Sequence, residues 1–161
     1  HQVAVDTAKT VARVPARDGT TYEFRVAAID RAGNFSPYAT GTSTVPVDNL
    51  ANRVRFSKDG WKTLRRHGAF KLSVARATRK GASASLRFTG TGATIVTRKL
   101  PKGGRLRVTL DGESKVVRLK GRGRFRRTLV ETPSVAAGQH RLRVTSLGRA
   151  PVEIDAIAVK P

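Results

Sequence analysis

The side chains able to do chemistry are few in kind and uneven in number. The histidines are His1, His67 and His140, and there is no cysteine. Without cysteine there is no disulfide framework, no thiolate metal site and no thiol nucleophile. Serines are plentiful, but no Gly-x-Ser-x-Gly elbow presents one for attack. His140, in Gly138-Gln139-His140, is expected to open a strand and to be structural. His67, in Arg65-Arg66-His67-Gly68, falls at a loop or strand end, solvated or within reach of a sugar hydroxyl. A glycosidase needs two carboxylates close together. Here Asp111 belongs to a turn, Asp155 is flanked by core residues and satisfies backbone groups, and Glu131 and Glu153 are isolated. Gly90-Thr91-Gly92 lacks the third glycine and the helix of a dinucleotide fingerprint and reads as a strand connection, as does Gly103-Gly104. The expectation is a chain that is not an enzyme, with no catalytic residue, no cofactor and no metal site.

The basic side chains are what remains. Lys and Arg total 32 against 11 Asp and Glu, a net charge of +21. Lys62, Arg65, Arg66, Lys71, Arg76, Arg79 and Lys80 crowd one stretch, and residues 115–127 another. Arg105, Arg107, Arg141 and Arg143 alternate with apolar positions and so face away from a core. Guanidinium forks suit phosphate, sulfate and carboxylate. If many share one face, that face attracts polyanions; otherwise they are a solvated, self-repelling surface. Lys120-Gly121-Arg122-Gly123-Arg124-Phe125-Arg126-Arg127 has the look of a nucleic-acid tract, yet Phe125 and Leu129 alternate as in a strand. No RNA-recognition, KH or helix-turn-helix pattern accompanies it, so specific nucleic-acid recognition is not expected; sequence-blind, salt-dependent binding is the third reading. Trp61, the only Trp, either stacks on a sugar ring or packs in the core beside Phe56 and Phe88. The candidate carbohydrate- or polyanion-binding residues are Trp61, Arg65, Arg66, His67, Arg105, Arg107, Arg126, Arg141 and Arg143.

The elements that must carry these residues are strands. The chain has 161 residues, 39% of them hydrophobic, enough for a sizeable core. No apolar run approaches the roughly 18 residues of a membrane span, so membrane insertion is not expected. Beginning at His1 and lacking Met, the sequence reads as a piece of something longer, with any signal peptide upstream. Residues 1–46 hold five basic and four acidic side chains; residues 47–161 hold the other 27 and 7. The polar, Pro-punctuated stretch around Pro46 marks the boundary, with a linker at 47–52. Before it, Tyr22, Phe24, Val26 and Ala28 alternate with Glu23 and Arg25 between the turn signals Asp18-Gly19 and Gly33-Asn34. Tyr38 to Val45 is the returning strand and Val11 to Val14 one more. After the boundary, strands are expected near residues 54–56, 61–65, 84–88, 93–98, 106–110, 117–119, 125–130, 140–147 and 152–159. Asp111-Gly112 forms a two-residue hairpin turn. No helical spacing competes, so the class is all-β, an antiparallel sandwich or barrel.

Thr20-Thr21-Tyr22-Glu23-Phe24-Arg25-Val26-Ala27-Ala28-Ile29-Asp30-Arg31-Ala32-Gly33-Asn34-Phe35-Ser36 resembles the end of a bacterial fibronectin type III domain. That resemblance implies a partial β-sandwich over residues 1–46, with Tyr22 as a corner residue whose hydroxyl ties down nearby backbone. A whole domain of that kind has seven strands, so these residues would be a remnant with exposed edges, open to another chain that completes it. Residues 53–161 are similar to the jelly-roll-like, galactose-binding-type carbohydrate-binding modules that follow fibronectin modules in secreted actinobacterial proteins. The similarity rests on Asp59-Gly60-Trp61, Lys80 to Gly92, Val108 to Gly112, Ala137 to Val144 and Val152 to Ile157. It implies an extracellular, noncatalytic module that binds a polysaccharide or an anionic cell-wall polymer. The alternative is a structural spacer or assembly module of a surface protein without a small ligand.

Overall fold

The computed structural model describes residue 11 and residues 13–122 and 127–161. Among the described residues thirteen strands follow one another: β1 Thr21–Val26, β2 Ala39–Thr44, β3 Val47–Asp48, β4 Arg55–Phe56, β5 Trp61–Arg65, β6 Ser73–Ala77, β7 Ser83–Gly90, β8 Gly92–Arg98, β9 Arg105–Leu110, β10 Glu113–Arg118, β11 Arg127–Glu131, β12 Gly138–Ser146 and β13 Val152–Lys160. A short 3-10 turn, Phe70–Leu72, is the only helical element among the described residues. The class is all-β and every strand pair is antiparallel.

Strands β3 to β13 build two sheets. One has the order β10-β9-β12-β7-β4; the other runs β11-β8-β13-β6-β5, with β3 also paired to β13. Alternation along each strand decides what lies between the sheets. Leu86, Leu106, Val108, Leu142 and Val144 from the first meet Ile95, Val152, Ile154 and Ile157 from the second in one continuous core. Each such side chain, fully buried, stabilises the fold by roughly 1.5–3 kcal/mol. β13 lies inside its sheet and is buried almost end to end, so its sequence is apolar except at Glu153 and Asp155, which have partners, and at the terminal Lys160. Within the stretch expected to be a linker, Val47 and Asp48 are buried and join the second sheet through Ile157 and Ala156.

Local chemistry sets the connections. Asp111 and Gly112 link β9 to β10 with φ of 48° and 101°, so both central residues of the two-residue turn sit at positive φ. At Gly90 a Cβ would lie 2.1 Å from the Lys160 carbonyl oxygen, so only glycine lets β7 end against the last strand.

Residues before β3 make a two-stranded hairpin, with Thr21 opposite Thr44 and Val26 opposite Ala39. The Tyr22 hydroxyl accepts the Arg17 N–H at 2.9 Å, tying the hairpin to the backbone just before it. Asp30 caps the turn by accepting the Ala32 and Asn34 N–H groups at 2.8 and 2.9 Å. Val11, Arg13 and Val14, expected within a further strand, are in irregular backbone. No facing sheet covers the hairpin among the described residues, and Val26, Phe35 and Tyr38 are each exposed by about two thirds.

Candidate functional site

The register places the outward residues of the five-stranded sheet. Arg105 pairs with Arg118, Arg107 with Val116, and Thr109 with Ser114. Further across, Thr109 pairs with Arg143 and Arg107 with Thr145. Arg87 pairs with Arg141, Ser85 with Arg143, and Ser83 with Thr145; Arg55 closes the row beyond Ser85. Cross-strand partners share a face, so Arg55, Arg87, Arg105, Arg107, Arg118, Arg141 and Arg143 stand together among serine and threonine hydroxyls, all exposed. No guanidinium of the seven has a carboxylate partner among the described residues. Arg143 donates to the Ser83 hydroxyl at 3.2 Å. The one large exposed apolar residue in these rows is Val116, 52% exposed, and no aromatic ring is present to stack on a sugar.

Two of the pairs, Arg105 with Arg118 and Arg87 with Arg141, put like charges directly opposite each other. Such pairs are destabilising in a sheet. A surface with these repulsions and no ion-paired carboxylate among the described residues is a standing positive potential, which an extended polyanion would neutralise.

The outer face of the six-stranded sheet is also basic but arranged differently. Glu153, 1% exposed, lies there opposite Arg76 of β6, and Lys62 of β5 is opposite Arg76 in turn. Arg76 donates Nε and Nη2 to Glu153 Oε1 at 2.8 and 2.5 Å; Arg98 Nε donates to Oε2. Arg66 Nη2 is 3.9 Å from Oε1. Burial pushes the Glu153 carboxyl up, but the Arg98 and Arg76 hydrogen bonds outweigh it and hold the group below the usual glutamate range.

A third polar cluster ties strand ends. Asp111 Oδ1 accepts the Arg141 N–H at 2.8 Å, and Asp111 Oδ2 lies 2.5 Å from His140 Nδ1. His140 Nε2 is 2.8 Å from the Ala136 carbonyl oxygen. Both ring nitrogens face acceptors, so the arrangement favours the imidazolium, and the bond to Asp111 raises the His140 pKa. In a nucleophilic relay the nitrogen distal to the carboxylate must face a hydroxyl. Here it faces a carbonyl, and the pair serves as a brace between the β9–β10 turn and the start of β12.

The candidates drawn from sequence therefore part company. Arg105, Arg107, Arg141 and Arg143 share the open five-stranded face. Arg65, Arg66 and His67 sit at the end of β5 on the other sheet. Trp61 packs on the core, edge-on to Phe56 with ring centroids 5.1 Å apart, and its indole N–H donates to the Ser83 carbonyl at 3.1 Å. Arg126 lies outside the described residues. Sequence reasoning missed Arg55, Arg87 and Arg118 as members of the basic face; the strand alternation that selected Arg105 selects Arg87 equally.

No protein-family model matches the chain, and neither does any curated protein. Solved structures do. A family 35 carbohydrate-binding module from an environmental isolate aligns over 71% of this chain and 90% of its own, at 15% identity and a TM-score of 0.58. A two-domain esterase active on acetylated mannans aligns over 73% of this chain, at 14% identity and 0.55. A family two carbohydrate esterase from Cellvibrio japonicus aligns over 87%, at 12% and 0.53. The chain spans 36% and 34% of those two esterases, about a third of their length. The structural neighbours are thus carbohydrate-binding modules and parts of carbohydrate-active enzymes, and at these identities the likeness establishes the sandwich fold.

Proposed function

We propose that residues 53–161 form a noncatalytic glycan-binding module of a secreted or cell-surface protein, and that its ligand is an anionic polysaccharide or cell-wall polymer. The observation that supports this most is the five-stranded face: seven exposed guanidiniums, two like-charged pairs directly opposed, and no carboxylate ion-paired to them among the described residues. The fold shared with a carbohydrate-binding module adds to it. The face has hydroxyls and guanidiniums but no ring platform, so recognition comes from charge and hydrogen bonding. Each contact is weak, and affinity grows with the number of repeats engaged. Affinity electrophoresis in neutral and acidic polysaccharides at two salt concentrations tests the reading. Retardation by acidic polymers alone is expected, falling on the order of tenfold when salt shortens the Debye length to a few ångströms. Equal retardation in neutral polymers would overturn it.

A second reading, a spacer or assembly module, draws on the hairpin before β3. We take residues 1–46 to be part of a fibronectin-type sandwich whose uncovered apolar side chains, among them Val26, Phe35 and Tyr38, would suit completion by another chain. Stable oligomers on a sizing column, with no polymer binding, would favour it.

A further inference from the structure

We propose that Arg66, set against the Arg76–Glu153–Arg98 cluster, takes up a single oxyanion group, a carboxylate or sulfate, as a second anion site independent of the five-stranded face. Three guanidiniums converge on one carboxylate, so the cluster keeps an excess of two positive charges. Arg76 and Arg98 already use the Glu153 oxygens. Arg66 holds them only loosely: at 3.9 Å its Nη2 is within ion-pair range of Oε1 but beyond a hydrogen bond, and its Nε is shielded from solvent and has no acceptor. Exposed Lys62, on the same face opposite Arg76, adds to the field.

The position of Arg66 is fixed by its surroundings. Its N–H donates to the Leu72 carbonyl at 2.8 Å, and its carbonyl accepts the Ala69 N–H at 3.2 Å. Lys71 and Leu72, neither a glycine, are held at φ of 48° and 60°. Such backbone persists only where its surroundings hold it. Here Asp155 Oδ1 accepts the Phe70 N–H at 2.7 Å, and Asp18 accepts the Lys71 ammonium at 2.7 Å. With the Asn49 amide turned so that its nitrogen donates to the Asp155 and Ser73 carbonyls at 3.0 and 3.2 Å, the base of the loop is tied as well. The Arg66 side chain is 35% exposed while its Nε is not, which leaves the Nη end of the guanidinium as the fork that an oxyanion from solvent would meet.

The ligand chemistry is the oxyanion itself, carried on a sugar or free in solution. The test is titration of the whole chain at constant ionic strength with glucuronate, inorganic sulfate and glucose, reading the arginine Nε–H NMR signals and the heat of binding. Saturable binding of glucuronate or sulfate, with glucose silent, is expected, and the Arg66 signal should move first. Tighter binding of glucuronate than of sulfate assigns the group to a sugar; equal binding assigns it to the free anion. Arg66→Gln should weaken binding on the order of tenfold, and Arg66→Lys, which keeps charge but loses the fork, by less. No saturable binding of either anion, an unmoved Arg66 signal, or full affinity in Arg66→Gln would overturn the proposal. Because the wild-type Arg66 signal is itself a readout, a variant that misfolds does not shelter it.

Discussion

The two outer sheet faces carry the same residue type to opposite ends. On the five-stranded face, guanidiniums are exposed, unpaired and in places directly opposed. On the six-stranded face, Arg76 and Arg98 converge on the nearly buried Glu153. Net charge alone does not distinguish them. One set acts at a distance through a field that salt screens. The other acts at contact, where loss of the carboxylate removes the shared counter-charge of partly buried guanidiniums.

The sharpest way to break this contrast is Glu153→Gln. It removes the carboxylate that Arg76 and Arg98 both bond and should destabilise the fold by about 3–5 kcal/mol in thermal or urea unfolding. An effect no larger than that of a surface change would make the cluster ornamental. Acid should act in the same sense. Glu153 titrates below the ordinary glutamate value in the folded chain, so its contribution is present above the unfolded pKa and lost as pH falls through the depressed folded value. Glu153→Gln should flatten that part of the stability–pH curve.

Next in size is the change on the open face. Substituting Gln for Arg105, Arg107, Arg141 and Arg143 together should reduce binding to an acidic polymer on the order of tenfold or more, with unfolding unchanged or slightly later. Trp61→Phe should cost about 1 kcal/mol through the lost bond to Ser83 and leave polymer affinity intact; a large affinity loss would assign Trp61 to the ligand instead. The smallest effect belongs to His140. Its folded pKa is raised, so the brace is complete below the ordinary histidine value and lost as pH rises through the folded one. His140→Asn should remove that small step, followed by calorimetry across neutral pH.

The β-strand alternation made much of this readable in the sequence. Leu106, Val108 and Leu110 announced β9, and with them the outward Arg105 and Arg107. Asp111-Gly112 announced the hairpin. β6 was not anticipated: Ser73-Val74-Ala75-Arg76-Ala77 is buried on both faces, so its period is blurred, and the neighbouring Arg79 and Lys80 made the stretch look like a solvated basic run. β3 is two residues long and leaves no periodicity to read. The Glu153 cluster was also invisible, because Arg66, Arg76 and Arg98 meet it only through strand pairing across 55 to 87 positions of chain. Glu153 looked isolated because sequence distance, not charge, was the criterion.

The central claim is that the five-stranded face, and not the loops or Trp61, recognises an anionic glycan. The most direct measurement is an NMR titration of the chain with a short acidic oligosaccharide, following arginine Nε–H and backbone amide signals. The account predicts shifts concentrated on β7, β9 and β12, at Arg87, Arg105, Arg107, Arg141 and Arg143, reversed by added salt. Shifts centred on the Trp61 indole or on connecting loops, or a spectrum left unchanged by the acidic sugar, would contradict it.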